Sequence, residues 1–373
     1  MHRPSPSRFL VLPALALFSV SLSVSLASQD TPETPNPKTP QHERLASLVG
    51  TWRTETKMAA MPGVPGMEEA SEMVGIEHAK LVCGGLWLKV DGDGMCAGQQ
   101  CSGMWLLGYD PHARSYQCIA ASSMDDAPCC VEAKYDEKTK TWHFHGDSPM
   151  GAFRSEFAMH GPDKSVETCY SKDKDGKETE FMRSVRTRVK SGMTAKNASS
   201  KSTADLTDIT NKAGGSDEAP ALPAPLAALH ADCGTWEADF KMEMPGMPAM
   251  TSKCREVTAP VCGGKWTWST FTGEMMGAPF EGHALTGFDS KNSKVVSFWL
   301  DSMNGAFMRT DGSYDAKEKV FTMSGTCYDE QGKRGPVAST AKVTGKDARQ
   351  LRMVFGKGDE QSVMTIDYRR AGK

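Results

Sequence analysis

The chain has 373 residues with 43 basic and 46 acidic side chains, for a net charge of −3. A balance this even excludes a dedicated nucleic-acid binder, which gathers Lys and Arg into a patch or stripe. The length suits two domains of ordinary size, and the 35 glycines and 21 prolines suit a turn-rich β chain.

At the start, His2, Arg3 and Arg8 lead into an apolar run from Phe9 to Leu26, and Ser25-Leu26-Ala27 supplies the small residues of a cleavage site. Residues 1–27 therefore read as a secretory signal peptide. The protein is expected to be exported, periplasmic or extracellular, with no stable membrane span after cleavage. Residues 28–41 form a proline-rich tether. A first domain is expected over 42–190, a flexible Ser-, Ala- and Lys-rich linker over 191–224, and a second domain over 225–373.

Both domains open alike. A short apolar stretch, Leu45-Ala46-Ser47-Leu48 or Leu226-Ala227-Ala228-Leu229, precedes a Gly-Thr-Trp at 50–52 or 234–236. Segments alternating with period two follow, as at Thr141–His145, Lys294–Leu300 and Val320–Ser324, separated by Gly, Asp, Asn and Pro turns. Many short strands without interleaved helices predict an all-β antiparallel barrel or sandwich in each half.

The halves also repeat in register. Cys83-Gly84-Gly85-Leu86-Trp87 returns as Cys262-Gly263-Gly264-Lys265-Trp266, an offset of 262 − 83 = 179. Gly108-Tyr109-Asp110 returns at that offset as Gly287-Phe288-Asp289, and Tyr135-Asp136 as Tyr314-Asp315. Leu-x-x-Leu, Gly-Thr-Trp, the Gly-Gly-x-Trp strand, the Gly-[Tyr/Phe]-Asp turn and the Arg-rich last strand together resemble the family numbered 1579 among domains of unknown function. That family is similar to the lipocalin-like, or calycin, β-barrels. The resemblance implies two tandem calycin-like barrels, and a Trp at each barrel base packed near a basic residue of the last strand. The counterparts here are Trp52 with Arg186 or Arg188, and Trp236 with Arg369 or Arg370.

Catalytic signatures are absent from the sequence: there is no Gly-x-Ser-x-Gly, no His-Glu-x-x-His and no phosphate-binding loop. No enzymatic activity and no cofactor are expected. Two constellations remain. The strand aromatics Trp87, Trp105, Tyr116, Trp266 and Trp299 are candidates to line a cavity for a small apolar or amphipathic ligand. The Met-Pro-Gly tracts, with Met242, Met244, Met247 and Met250 in the second domain, hold soft thioethers that suit Cu(I), which makes a copper-binding role the alternative. Of the 11 cysteines, Cys96 with Cys101, Cys254 with Cys262, and Cys118 with Cys129 or Cys130 are candidate disulfides. His143 and His145 lie on the strand face opposite Trp142 and Phe144, so they are expected outside.

Overall fold

The structure is a computed structural model that describes residues 38–60, 68–96, 99–148, 151–172, 176–190, 221–329, 332–358 and 361–372. The expected signal peptide and most of the tether and linker lie outside these residues, as do Met61 and Met67 of the first Met-Pro-Gly tract.

Helix α1 (Pro40–Leu45) leads into ten strands: β1 (Gly50–Met58), β2 (Ser71–Val82), β3 (Trp87–Cys96), β4 (Gln99–Asp110), β5 (Ser115–Ser122), β6 (Cys129–Asp136), β7 (Thr141–Ser148), β8 (Gly151–Met159), β9 (Lys164–Lys172) and β10 (Glu178–Arg188). Helix α2 (Ala224–Asp232) begins the second half. Its strands are β11 (Gly234–Glu243), β12 (Met250–Val261), β13 (Trp266–Met275), β14 (Ala278–Asp289), β15 (Lys294–Asp301), β16 (Met308–Asp315), β17 (Val320–Tyr328), β18 (Arg334–Gly345), β19 (Ala348–Phe355) and β20 (Ser362–Arg370). Each set closes into an antiparallel barrel, β1 against β10 and β11 against β20. Closure removes the unpaired edges that an open sheet would expose.

One end of each barrel is sealed by the same device. Leu45 and Leu48 are buried beneath the first barrel, and the Trp52 indole N–H donates to the Leu48 carbonyl at 2.9 Å. The Arg188 guanidinium lies 4.1 Å over the Trp52 ring and donates to the Val49 carbonyl and, at 2.8 Å, to that of Ser47. In the second barrel Trp236 donates to the Asp232 carbonyl at 2.9 Å. Arg370 lies 4.2 Å over its ring and donates to the Cys233 and Ala231 carbonyls at 2.9 and 3.0 Å. Each arginine thus satisfies carbonyls that the end of the short helical segment leaves free, while its cation rests on the indole face.

A large apolar cluster lies between the barrels, on their outer faces. Trp87, Met104, Leu106, Ile119 and Ala121 of β3–β5 pack with Trp266, Leu285, Val296, Phe298 and Leu300 of β13–β15. The contacts are reciprocal. A Cβ on Gly84 would face Ser302, and one on Gly263 would press on Ser123 at 3.0 Å; both pairs obey the 179-residue offset (263 − 84 and 302 − 123). Ser123 Oγ accepts from the Ser102 amide and Ser302 Oγ from the Glu281 amide, again in register. Contact i–j matched by j–i marks an isologous interface, here inside one chain. Cys83 and Cys262 turn the elbows at this seam with φ of 53° and 50°, a left-handed conformation that non-glycine residues seldom adopt.

Candidate functional site

Strand register assigns every side chain to a face, because neighbouring partners point the same way. Trp52 pairs with Glu77 and Arg188, Glu77 with Gly92, and Gly92 with Gly103. This inward row runs up one wall of the first barrel. The matching row of the second is Trp236, Glu256, Phe271 and Gly282.

Just above each sealed end an arginine holds a carboxylate: Arg186 and Glu256 are buried, and their partners Glu77, Glu167 and Arg349 half-buried. In the first barrel Arg186 donates from Nε to Glu77 at 3.0 Å and from Nη2 to Glu167 at 2.9 Å. Burial opposes the charge on Arg186, but the two carboxylates outweigh it and keep the guanidinium protonated. In the second barrel Arg349 lies 3.0 Å from Glu256 and also pairs with Asp232. Burial works against the charged Glu256, yet Arg349 outweighs it and holds that carboxyl below the usual range. Glu77 and Glu256 obey the 179-residue offset, whereas the arginine has moved from β10 to β19, leaving Tyr368 on β20 stacked 4.1 Å from Arg349. Sequence reasoning missed this pair of acids. The signal available was the offset itself, which brings two glutamates into register on strands.

The walls above differ in composition. Five cysteines of the first repeat (Cys96, Cys101, Cys118, Cys129 and Cys169) face inward. Methionines line both interiors, Met58, Met73 and Met182 in the first barrel and Met242, Met250, Met353 and Met364 in the second. Burial pushes the Cys129 thiol up to about 11 and that of Cys130 to about 12, and Cys118 and Cys169 rise as well. Such thiols stay protonated near neutral pH and are poor nucleophiles. Among the described residues no group of three His, Cys, Asp or Glu side chains is placed to hold a metal ion.

The candidate residues scatter. Trp105 faces the first barrel's interior, half-buried, and Tyr116 does so near the sealed end, where its hydroxyl donates to the Gln41 carbonyl at 2.9 Å. Trp299 faces the second interior and packs edge-on against Phe271 at 6.2 Å. Trp87 and Trp266 line no cavity: both are fully buried in the seam, on the outer faces of β3 and β13. Of the basic alternatives, Arg188 and Arg370 are the residues on the tryptophans, while Arg186 goes to the interior acids and Arg369 pairs with Asp239 outside. Met242 and Met250 are inward partners across β11 and β12, and Met364 flanks Met242 from β20. Met244 and Met247 stand in the connecting turn, with Met247 58% exposed.

None of the expected disulfides is formed in the structure, where all eleven cysteines are free. Cys254 points into the second barrel, while Cys262 sits in the elbow outside it and donates to the Ala121 carbonyl of the first at 3.5 Å. Cys96 and Cys101, like Cys118 and Cys129, are diagonal rather than direct partners, and that diagonal is about 7–8 Å between Cα atoms, beyond the usual span of a disulfide. Trp142 and Phe144 are buried inward, with His143 and His145 on the outer face.

The family model described as "Protein of unknown function (DUF1579)" matches residues 37–188 and 224–370. No curated protein matches the chain. Among solved structures it is similar to the S-type phycobiliprotein lyase of Guillardia theta, at 15% identity and a TM-score of 0.32, over 42% of this chain and 96% of that one. A protein of unknown function from the DUF3598 family of Nostoc punctiforme is 9% identical with a TM-score of 0.25, over 90% and 100%. A double mutant of the transferrin-binding protein TbpB of Haemophilus parasuis is 6% identical with a TM-score of 0.19, over 87% and 76%. At such scores the likeness carries no inference about ligand or activity.

Proposed function

The chain belongs to the DUF1579 family of proteins of unknown function, in two tandem copies, and we propose that it is a non-enzymatic binding protein. It holds a small apolar or amphipathic molecule inside a barrel. The observation that carries this reading is the gradient of exposure along the inward face. At the sealed end Trp52, Leu107 and Tyr116 are buried, while Met73, Cys96 and Trp105 farther up keep some exposure to solvent. Eight- to ten-stranded barrels are wide enough to take one small ligand between such walls. The protonated thiols and thioethers on the walls offer adaptable apolar contact rather than reaction chemistry. Export, as the N-terminal leader suggests, belongs to the same proposal.

The test is native mass spectrometry with metal analysis of the full chain purified from its natural host. Co-purifying organic mass without copper is the expected result. A second reading, Cu(I) binding, is favoured by one juxtaposition: Met242, Met250 and Met364 meet as strand partners on the second barrel's inner face. Stoichiometric copper that is lost on Met242→Leu with Met250→Leu would replace the first reading with this one.

A further inference from the structure

Among the described residues, three of the four polar side-chain atoms left unpaired inside the first barrel can only donate. Arg186 has a side chain only 10% exposed; its Nε and Nη2 are taken by Glu77 and Glu167, but Nη1 has no partner. The indole N–H groups of Trp105 and Trp142 are also buried without partners, as is the Ser165 hydroxyl. All four belong to inward register positions. Native proteins rarely leave buried polar groups unpaired, and each one left so costs about 1–3 kcal/mol.

The wall nearby is bare. Glu77 is followed in its row by Gly92 and Gly103, with Gly75 and Gly94 also inward. The second barrel fills the equivalent places: Phe271 stands where the first has Gly92, and Trp299 lies over Gly282 and takes the place of Ala120. Phe271, Phe280 and Trp299 pack edge to face at 6.2 Å and plug that interior. Ala284 replaces Trp105 and Phe321 replaces Trp142, so the second barrel lacks both indole donors; its unpaired donors among the described residues are Nε and Nη2 of Arg349, the latter already 3.0 Å from Glu256.

Charge narrows the class of ligand. The first site holds two carboxylates, Glu77 and Glu167, against one guanidinium. An anionic ligand would add a third negative charge to a buried site, at a steep electrostatic cost. A cation would find the carboxylates engaged and, the Ser165 hydroxyl apart, only donors free. Resting on the binding reading above, we infer that the first barrel alone takes ligand, and that the ligand is an uncharged apolar molecule presenting carbonyl- or ether-type acceptor oxygens to Arg186, Trp105 and Trp142.

The probe is Nile red, a neutral aromatic dye with a carbonyl and a ring oxygen, titrated into the full chain at pH 8 and followed by fluorescence. Methyl laurate and laurate, which share an acyl chain and differ in charge, are the competitors. The expected result is one equivalent of dye per chain, displaced by the ester at a concentration at least about tenfold below that needed for the acid, the penalty for a buried unpaired charge. Gly92→Phe should abolish binding. Trp105→Phe keeps the ring but removes the N–H, and should weaken binding about five- to tenfold, the size of one net hydrogen bond; it carries the test should Gly92→Phe fail to fold. Two equivalents per chain, laurate competing as well as its ester, or unchanged affinity in Trp105→Phe would each overturn the inference while leaving the binding reading standing. No binding of dye, ester or acid would sink both.

Discussion

The two barrels share a floor and a seam and differ in what they enclose. At the floor, Trp52 with Arg188 and Trp236 with Arg370 repeat contact for contact. Inside, the first barrel has glycines at 92 and 103 and a row of thiols, where the second has an aromatic cluster of Phe271, Phe280 and Trp299. The buried arginine has even changed strands while still meeting a register-equivalent glutamate. Positions that hold backbone carbonyls or the partner barrel are thus fixed by geometry. Interior positions need only fill space and balance charge, so they diverge.

The largest effect should come from the seam, where the barrels are alike. Trp87→Ala or Trp266→Ala removes a fully buried side chain and should cost about 3–5 kcal/mol. Because the cluster is shared, chemical denaturation should show both barrels weakened together in either variant. Early melting of the altered barrel alone would mean that the seam does not couple them.

Next come the arginines, where the barrels differ. Arg186→Met strands Glu77 and Glu167, and Arg349→Met strands Glu256 and Asp232. Each should lose about 3 kcal/mol at neutral pH, as expected when one partner of a buried ion pair is removed. The loss should shrink towards pH 4, because stranded carboxyls take up protons in the folded state and stability then falls as pH rises. A deficit independent of pH would show that the acids are not buried charges.

A smaller, pH-dependent effect should arise at two buried histidines. His42 accepts from the Thr39 amide and donates to the Tyr109 carbonyl at 3.0 Å each, and its Nε2 lies against Gly305 of the second barrel. His283 stacks on Trp268 and bonds to Glu281 and Thr270 near Lys89. Burial lowers both pKa values despite these bonds. The neutral forms are therefore favoured by folding: their stabilisation is complete above the ordinary value of about 6.5 and is lost as pH falls through the lowered folded values. Midpoint denaturant concentrations measured from pH 7.5 to 5 should decline, and His42→Gln with His283→Gln should flatten the curve. An unchanged slope would place the titration elsewhere.

The smallest effect is expected at Lys89, whose ammonium lies 5.1 Å from the Trp268 ring and pairs with Asp91. Lys89→Met keeps the packing and should change stability by less than about 1 kcal/mol. A loss several times larger by thermal unfolding would assign this contact a main role in joining the barrels.

Much of the fold was legible because glycines and tryptophans recur in register. The direction of Trp87 and Trp266 was not. Period two tells inward from outward only where one face meets water, and Trp87-Leu88-Lys89-Val90 is buried on both faces. The best-repeated motif therefore marks the seam rather than a cavity. The interior acids were hidden differently: a strand glutamate reads as a solvated side chain until an arginine from a distant strand is seen beside it.

The near-two-fold seam has one more consequence. Close to its axis a residue meets its own copy, and there Lys89 faces Trp268, its counterpart at 268 − 89 = 179. Two identical chains would set Lys against Lys or Trp against Trp at that point. Joining the halves in one polypeptide lifts the demand for identity, so each can be altered while the other stays as it was. Two differently furnished interiors can then be inherited together, as one gene product that no symmetric pair could imitate.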